Sequence, residues 1–154
     1  MKRAVQTLAL LSVISLGTSS VYGQAGLKKA EKEYDRWAYI DSQELLEKVL
    51  KRGHQSKDLL EKVANTYYFN GRYAEAQPHY EQLFTNYASE GIEDVYYYRY
   101  AQTLQHVGDQ AQAKHYYDEF TQKVGNQSQI AQVRKSEAEL EAQIKANSGR
   151  FNAL

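Results

Sequence analysis

Four histidines, His54, His79, His106 and His115, are the side chains of this 154-residue sequence that titrate near neutral pH. Two ligands on one helical face must stand three or four residues apart, and no two of these do. His106 and His115 are separated by nine positions across an expected turn, so solvated or capping roles are expected for the set. Carboxylates are plentiful, with Glu31 beside Glu33 and Glu137 beside Glu139 and Glu141. They stand among lysines, where they solvate a polar helix face and support it through i,i+4 pairs. A general acid needs instead a carboxyl whose pKa is raised in a cleft. There is no cysteine, which removes thiol nucleophiles, thiolate metal sites, disulfides and a lipid-bearing cysteine. No glycine-rich phosphate loop and no Gly-x-Ser-x-Gly elbow occurs. The expectation is a non-enzyme without cofactor or metal, and an enzyme or metal protein built on these residues is the remote alternative.

What remains is aromatic. Tyrosine occurs 14 times, and residues 94–104 read DVYYYRYAQTL. A tyrosine can fill a core with its ring while its hydroxyl reaches solvent or backbone, so position decides between packing and binding. The elements that set position are helical by composition. Glu, Gln, Lys, Ala and Leu are abundant, with one proline and nine glycines. The length suits one domain. A formal net charge of zero gives no electrostatic footprint for nucleic acid.

Residues 1–23 stand apart. Lys2 and Arg3 precede an apolar run at 8–16 that is too short to span a bilayer, which needs ~20 apolar residues. Small residues Val21 and Gly23 then precede Gln24, which fits a signal-peptidase site before Gln24. The segment reads as a signal peptide, with an uncleaved anchor as the alternative. Its removal leaves a slightly acidic mature chain, expected to be exported and soluble.

The mature chain repeats itself. An offset of 34 takes Ala30 to Ala64, Tyr34 to Tyr68, Tyr39 to Tyr73 and Leu46 to Tyr80. An offset of 37 takes Ala64 to Ala101, Gly71 to Gly108, Ala76 to Ala113 and Tyr80 to Tyr117. The three extra residues fall in the polar connection at 88–94, where insertion costs little. Ala64 with Ala76, and Ala101 with Ala113, are small residues placed where paired helices must cross closely. Gly71 and Gly108 sit in the turns, Ser56 is placed to cap a helix, and Pro78 should bend or shorten the helix that contains it. Beyond Gly125, Ile130, Val133, Leu140 and Ile144 form an apolar stripe with Glu137 as its only charged member. Ser128 is the expected cap of that helix, and residues 147–150 its expected stop.

A 34-residue period resembles the tetratricopeptide repeat, whose pattern is W-x2-L-G-x2-Y followed by A-x3-F. The second repeat matches with Leu60, Val63, Ala64, Tyr67, Ala76 and Tyr80, and the third with Tyr97, Tyr100, Ala101, Leu104, Ala113 and Tyr117. The first is degenerate at Gly26 and Lys29, and the usual closing prolines are missing. The resemblance implies an all-α, right-handed solenoid of three helix pairs, at about 24–55, 56–92 and 93–125. A C-terminal cap helix at 127–147 and a tail at 148–154 would follow. In that fold Tyr97, Tyr100 and Leu104 are core, and Tyr96 packs on the preceding repeat. The concave wall then carries Tyr34, Asn65, Tyr68, Phe69, Tyr98, Arg99, Gln102 and Gln105. These either line an open partner-binding groove or lie against the cap helix, and the groove is the reading adopted. Some family members clamp a chaperone's C-terminal carboxylate there. Arg99 matches that clamp, whereas Leu27, Glu31 and Val95 replace its other residues, so a negatively charged tail is not the expected ligand.

Residues 28–34, 38–41, 64–70, 95–104 and 148–151 together resemble a narrower group, the N-terminal repeat region of OmpA-family cell-envelope proteins of the Bacteroidetes. In that group a β-propeller and a peptidoglycan-binding domain follow, and some members serve type IX secretion and gliding. The resemblance implies a fragment or a shortened relative, with peptidoglycan reached only through a domain absent here. The expected function is a periplasmic scaffold that holds another envelope protein or peptide segment, associated with the outer membrane through its partners. A periplasmic chaperone with many clients is the alternative.

Overall fold

The computed structural model of the chain describes residues 28, 29, 32 and 39–151, with the backbone alone at 39–41 and 147–151. Among the described residues there are six α-helices, a 3-10 turn and no strand. In chain order they are α1 (Tyr39–Lys51), α2 (Lys57–Phe69), α3 (Tyr73–Tyr87), the 3-10 turn Ala88–Glu90, α4 (Asp94–Val107), α5 (Gln110–Val124) and α6 (Gln127–Phe151). The described residues are all-α, as expected. The expected signal peptide, Leu27, Glu31, Tyr34 and residues 152–154 lie outside the described residues. Lys28, Lys29 and Lys32 are helical and exposed.

The helices begin and end for local reasons. Ser56 has extended backbone and its hydroxyl accepts from the Leu59 amide at 3.1 Å, which caps α2. Leu59, Leu60, Val63, Ala64 and Tyr67 then fall on one buried face at helical spacing. At the far end the Gly71 amide donates to the Tyr68 carbonyl and the Arg72 amide to the Tyr67 carbonyl, both at 2.9 Å. After α4, Gly108 donates to Gln105 at 3.2 Å and Asp109 to Leu104 at 2.9 Å. Both turns are the same Schellman closure, and it requires the left-handed backbone that Gly71 (φ 69°) and Gly108 (φ 94°) adopt. Asp109 then caps α5 through the Gln112 amide, 3.1 Å away.

Helices pack on their neighbours in sequence, most closely within α2–α3 and α4–α5, then between α1 and α2 and between α3 and α4. Ala64, Ala76 and Ala101 expose no surface and Ala113 only 2%. Small side chains at such sites let helix axes approach. The space beside them is filled by aromatic rings. Tyr80 and Leu83 are fully buried, and Phe84 lies 5.3 Å from Tyr100 and 4.9 Å from Tyr116 between ring centroids. Each large side chain so buried contributes about 1.5–3 kcal/mol. Of the four tyrosines at 96–100, Tyr100 is core and Tyr96 is buried, with its hydroxyl receiving the Asn65 side-chain amide of the preceding pair at 3.3 Å. Tyr97 is half-buried, edge-on to Phe84 at 4.7 Å.

Four local expectations change. Pro78 does not shorten α3, which runs unbroken from Tyr73 to Tyr87. Pro78 and Ala74 are exposed, so water can reach the carbonyl deprived of its amide partner. The N-cap of α6 is Asn126, not Ser128: the Gln129 amide donates to Asn126 Oδ1 at 2.8 Å. Residues 147–150 do not stop α6, which continues to Phe151. One glycine costs a helix about 1 kcal/mol and does not break it unaided. The inserted connection is also more than a polar loop, since Ile92 is buried in it.

Candidate functional site

Side chains of α2 and α4 meet on one wall, Asn65 with Tyr96 and Arg99, and Tyr68 with Gln102. Asn65, Tyr68 and Phe69 come from α2, and Tyr98, Arg99 and Gln102 from α4. Arg99 is its centre, with 8% of its surface exposed. Its Nε and Nη2 donate to the two oxygens of Glu137 at 2.7 and 2.8 Å, and its Nη1 donates to Asn65 Oδ1 at 3.0 Å. The guanidinium carbon stands 4.8 Å from the Phe69 ring centroid and 5.4 Å from that of Tyr96. A planar fork held by two rings and an amide fits a carboxylate in two-point fashion. Asn65 is fixed in turn, because its Oδ1 accepts the Tyr80 hydroxyl at 2.9 Å and its Nδ2 donates to Tyr96.

Burial opposes the Arg99 charge, but its hydrogen bonds to Glu137 and nearby negative charge outweigh that, so its pKa is raised and it stays cationic. Burial, followed by the nearby acid groups of Tyr80, Glu141 and Glu137, pushes the Tyr68 phenol far above its ordinary range. Tyr68 therefore acts as a neutral hydrogen-bond donor. Its hydroxyl donates to the Gln102 side-chain oxygen, with Glu141 Oε1 3.3 Å away. Gln102 Nε2 donates to the Tyr98 hydroxyl at 2.8 Å, so one amide bridges two wall tyrosines.

The wall is not open. Helix α6 lies over it, with Ile130 and Ile144 buried and Glu137 only 6% exposed. Ile130 packs with Tyr98 and Phe120, and Ile144 joins the main core. The expected free groove for Asn65, Tyr68, Phe69, Tyr98, Arg99 and Gln102 is thus filled by the chain's own helix. Gln105 does not join them, being exposed and accepting from the Tyr117 hydroxyl at 3.0 Å. Tyr34 lies outside the described residues. Arg99 holds the Glu137 carboxylate with Asn65, Phe69 and Tyr96 in support.

Glu137 is the residue that sequence reasoning placed wrongly, among solvating carboxylates. Its signal was present, since it interrupts an otherwise apolar stripe. Tyr96 was expected to pack on the preceding pair, and its contact with Asn65 does so; Tyr80, the other partner of Asn65, had no signal beyond its place in the repeat motif.

The histidines are not gathered. His54 is exposed, and His115 lies edge-on to Tyr116 at 5.1 Å. His106 stacks on Tyr73 with centroids 3.9 Å apart. His79 departs from the expected solvated role: it is half-buried, stacked on Tyr67 at 5.5 Å, and burial lowers its pKa. Among the described residues no three His, Asp or Glu side chains are grouped to hold a metal ion, and no helix is long and apolar enough to cross a membrane.

No family model, curated protein or solved structure matches this chain.

Proposed function

We propose that the protein is a binding scaffold of the tetratricopeptide type, exported to the periplasm, whose α2–α4 wall receives an amphipathic helix or extended segment from another envelope protein. The sequence period and the nearest-neighbour packing of the helix pairs support the solenoid reading. The resemblance at residues 28–34, 64–70 and 95–104 supports an envelope setting near OmpA-type or type IX secretion assemblies. One observation carries the binding reading: a buried arginine on the wall, braced by Asn65, Phe69 and Tyr96, gripping a carboxylate from a helix far along the chain. Such a site prescribes its ligand. It fits apolar side chains at helical spacing with an Asp or Glu at the centre. In the absence of a partner, α6 supplies that pattern itself.

The test is capture from an envelope extract with immobilised mature protein. Glu137→Arg should repel α6 from Arg99, open the wall and raise recovery of a single partner near one-to-one. Adding Arg99→Gln should return recovery to background while the helical circular dichroism stays. Equal recovery by all three baits would place the contact elsewhere and defeat the reading. Many clients at low stoichiometry would make the protein a chaperone.

A further inference from the structure

The connection between α5 and α6 is a tight left-handed turn. Gly125 is the αL C-cap of α5, with φ 82°, and its amide still donates to the Thr121 carbonyl at 3.0 Å. Asn126 follows at once and caps α6, whose Ile130 amide donates to the Asn126 carbonyl at 3.0 Å. Two residues therefore separate α5 from α6. Rotating them into the right-handed region would fuse the two into one straight helix.

The rest of α6 is held in a way that permits this. Its backbone approaches that of α5 only thinly. Its anchors are long side chains reaching α2 and α4: Glu137 to Arg99, Glu141 beside Tyr68, and Ile144 into the core. Ile130 meets Phe120 and Tyr98 at the start of the helix. All these contacts are between α6 and a surface that a second copy of the chain carries unchanged.

We propose that α6 exchanges between two copies of this chain, with Gly125 and Asn126 as the hinge. Each copy lays its Ile130, Glu137 and Ile144 stripe on the other's α2–α4 wall and forms the Arg99–Glu137 pair between chains. The exchanged dimer keeps every α6 contact of the closed monomer, so the balance lies in the hinge. Closure keeps the Gly125 turn and the Asn126 cap. Opening replaces them with continuous helical hydrogen bonds and gains from pairing only as concentration rises. The proposal deepens the reading of this wall as a helix-receiving surface and names one occupant. Failure of exchange would leave capture of a foreign partner untouched, because that needs α6 only to leave.

Two measurements on the full mature chain decide it. Alanine is disfavoured at positive φ and favoured over glycine inside a helix, so Gly125→Ala opposes closure and supports opening at both hinges of the dimer. By sedimentation equilibrium the concentration of half-dimerisation should fall at least about tenfold relative to the unaltered chain. The second measurement mixes two charge-reversed proteins, one carrying Arg99→Glu and the other Glu137→Arg. Each alone sets like charges against each other in the closed form. Together they match only across chains, so the mixture should yield a one-to-one heterodimer with restored helical signal. Both results are required. A Gly125→Ala protein that stays monomeric where the unaltered chain does, or a mixture without the one-to-one species, overturns the proposal.

Discussion

Arg99 shows how a buried charge is made tolerable. Taking a guanidinium out of water costs several kcal/mol, and only a well-placed counter-ion with further hydrogen bonds offsets that. Glu137 supplies two bonds and Asn65 a third, and two rings cover the flat faces. The tyrosines around it make a different contribution. Burial raises the pKa of Tyr68, Tyr98 and Tyr100, and those of Tyr67 and Tyr117 to about 12. An acid whose folded pKa lies above its unfolded value binds its proton more tightly when folded. Its contribution is complete below the ordinary phenol pKa of about 10 and is lost as pH rises through the folded value. Urea midpoints should therefore fall from about pH 10 upward, with phenolate absorbance at 295 nm appearing in step with loss of helix. Phenolate absorbance that grew to completion while the helical signal held would show that these rings are not buried.

At the scale of the element, α6 is the unusual member. The paired helices α2 to α5 are closed by Schellman turns and packed through alanines, whereas α6 is long, polar on most of its surface and anchored by a few side chains. Its N-terminus rests on Asn126. Asn126→Ala should lower stability by about 1 kcal/mol, measured by urea unfolding at low protein concentration, whereas Ser128→Ala should change it by less than about 0.5 kcal/mol. The opposite ranking would restore Ser128 as the cap. The element boundaries were legible where turn chemistry was strong, at Ser56, Gly71 and Gly108. They were misread where two weak signals competed. Asn126 and Ser128 are both good caps, and only the geometry of the Gly125 turn chooses between them. Glycine and serine near residue 148 lower helix propensity without forbidding helix.

For the whole molecule, the helix pairs could be read from an internal offset because each repeats one small-residue crossing and one glycine turn. Six of the wall residues, Asn65, Tyr68, Phe69, Tyr98, Arg99 and Gln102, were legible too, since helical spacing fixes which side chains share a face, whereas Gln105 turns to Tyr117 instead. What occupies the wall was not. Periodicity says that α6 has an apolar stripe, but whether the stripe meets Tyr98 and Arg99 or another surface depends on the angle at a two-residue turn. Glu137 is the residue through which the ends of that question meet, 38 positions from Arg99.

The claim that α6 is docked on the α2–α4 wall is tested most directly by a double-mutant cycle. Urea unfolding would compare the unaltered chain with Arg99→Met, Glu137→Leu and the two combined. Each single change leaves a buried charge without its partner and should cost about 3–5 kcal/mol, whereas the combined change should cost far less than their sum, a coupling of at least about 2 kcal/mol. Costs that add to within about 0.5 kcal/mol would mean that Arg99 and Glu137 do not meet, and the filled wall would be wrong.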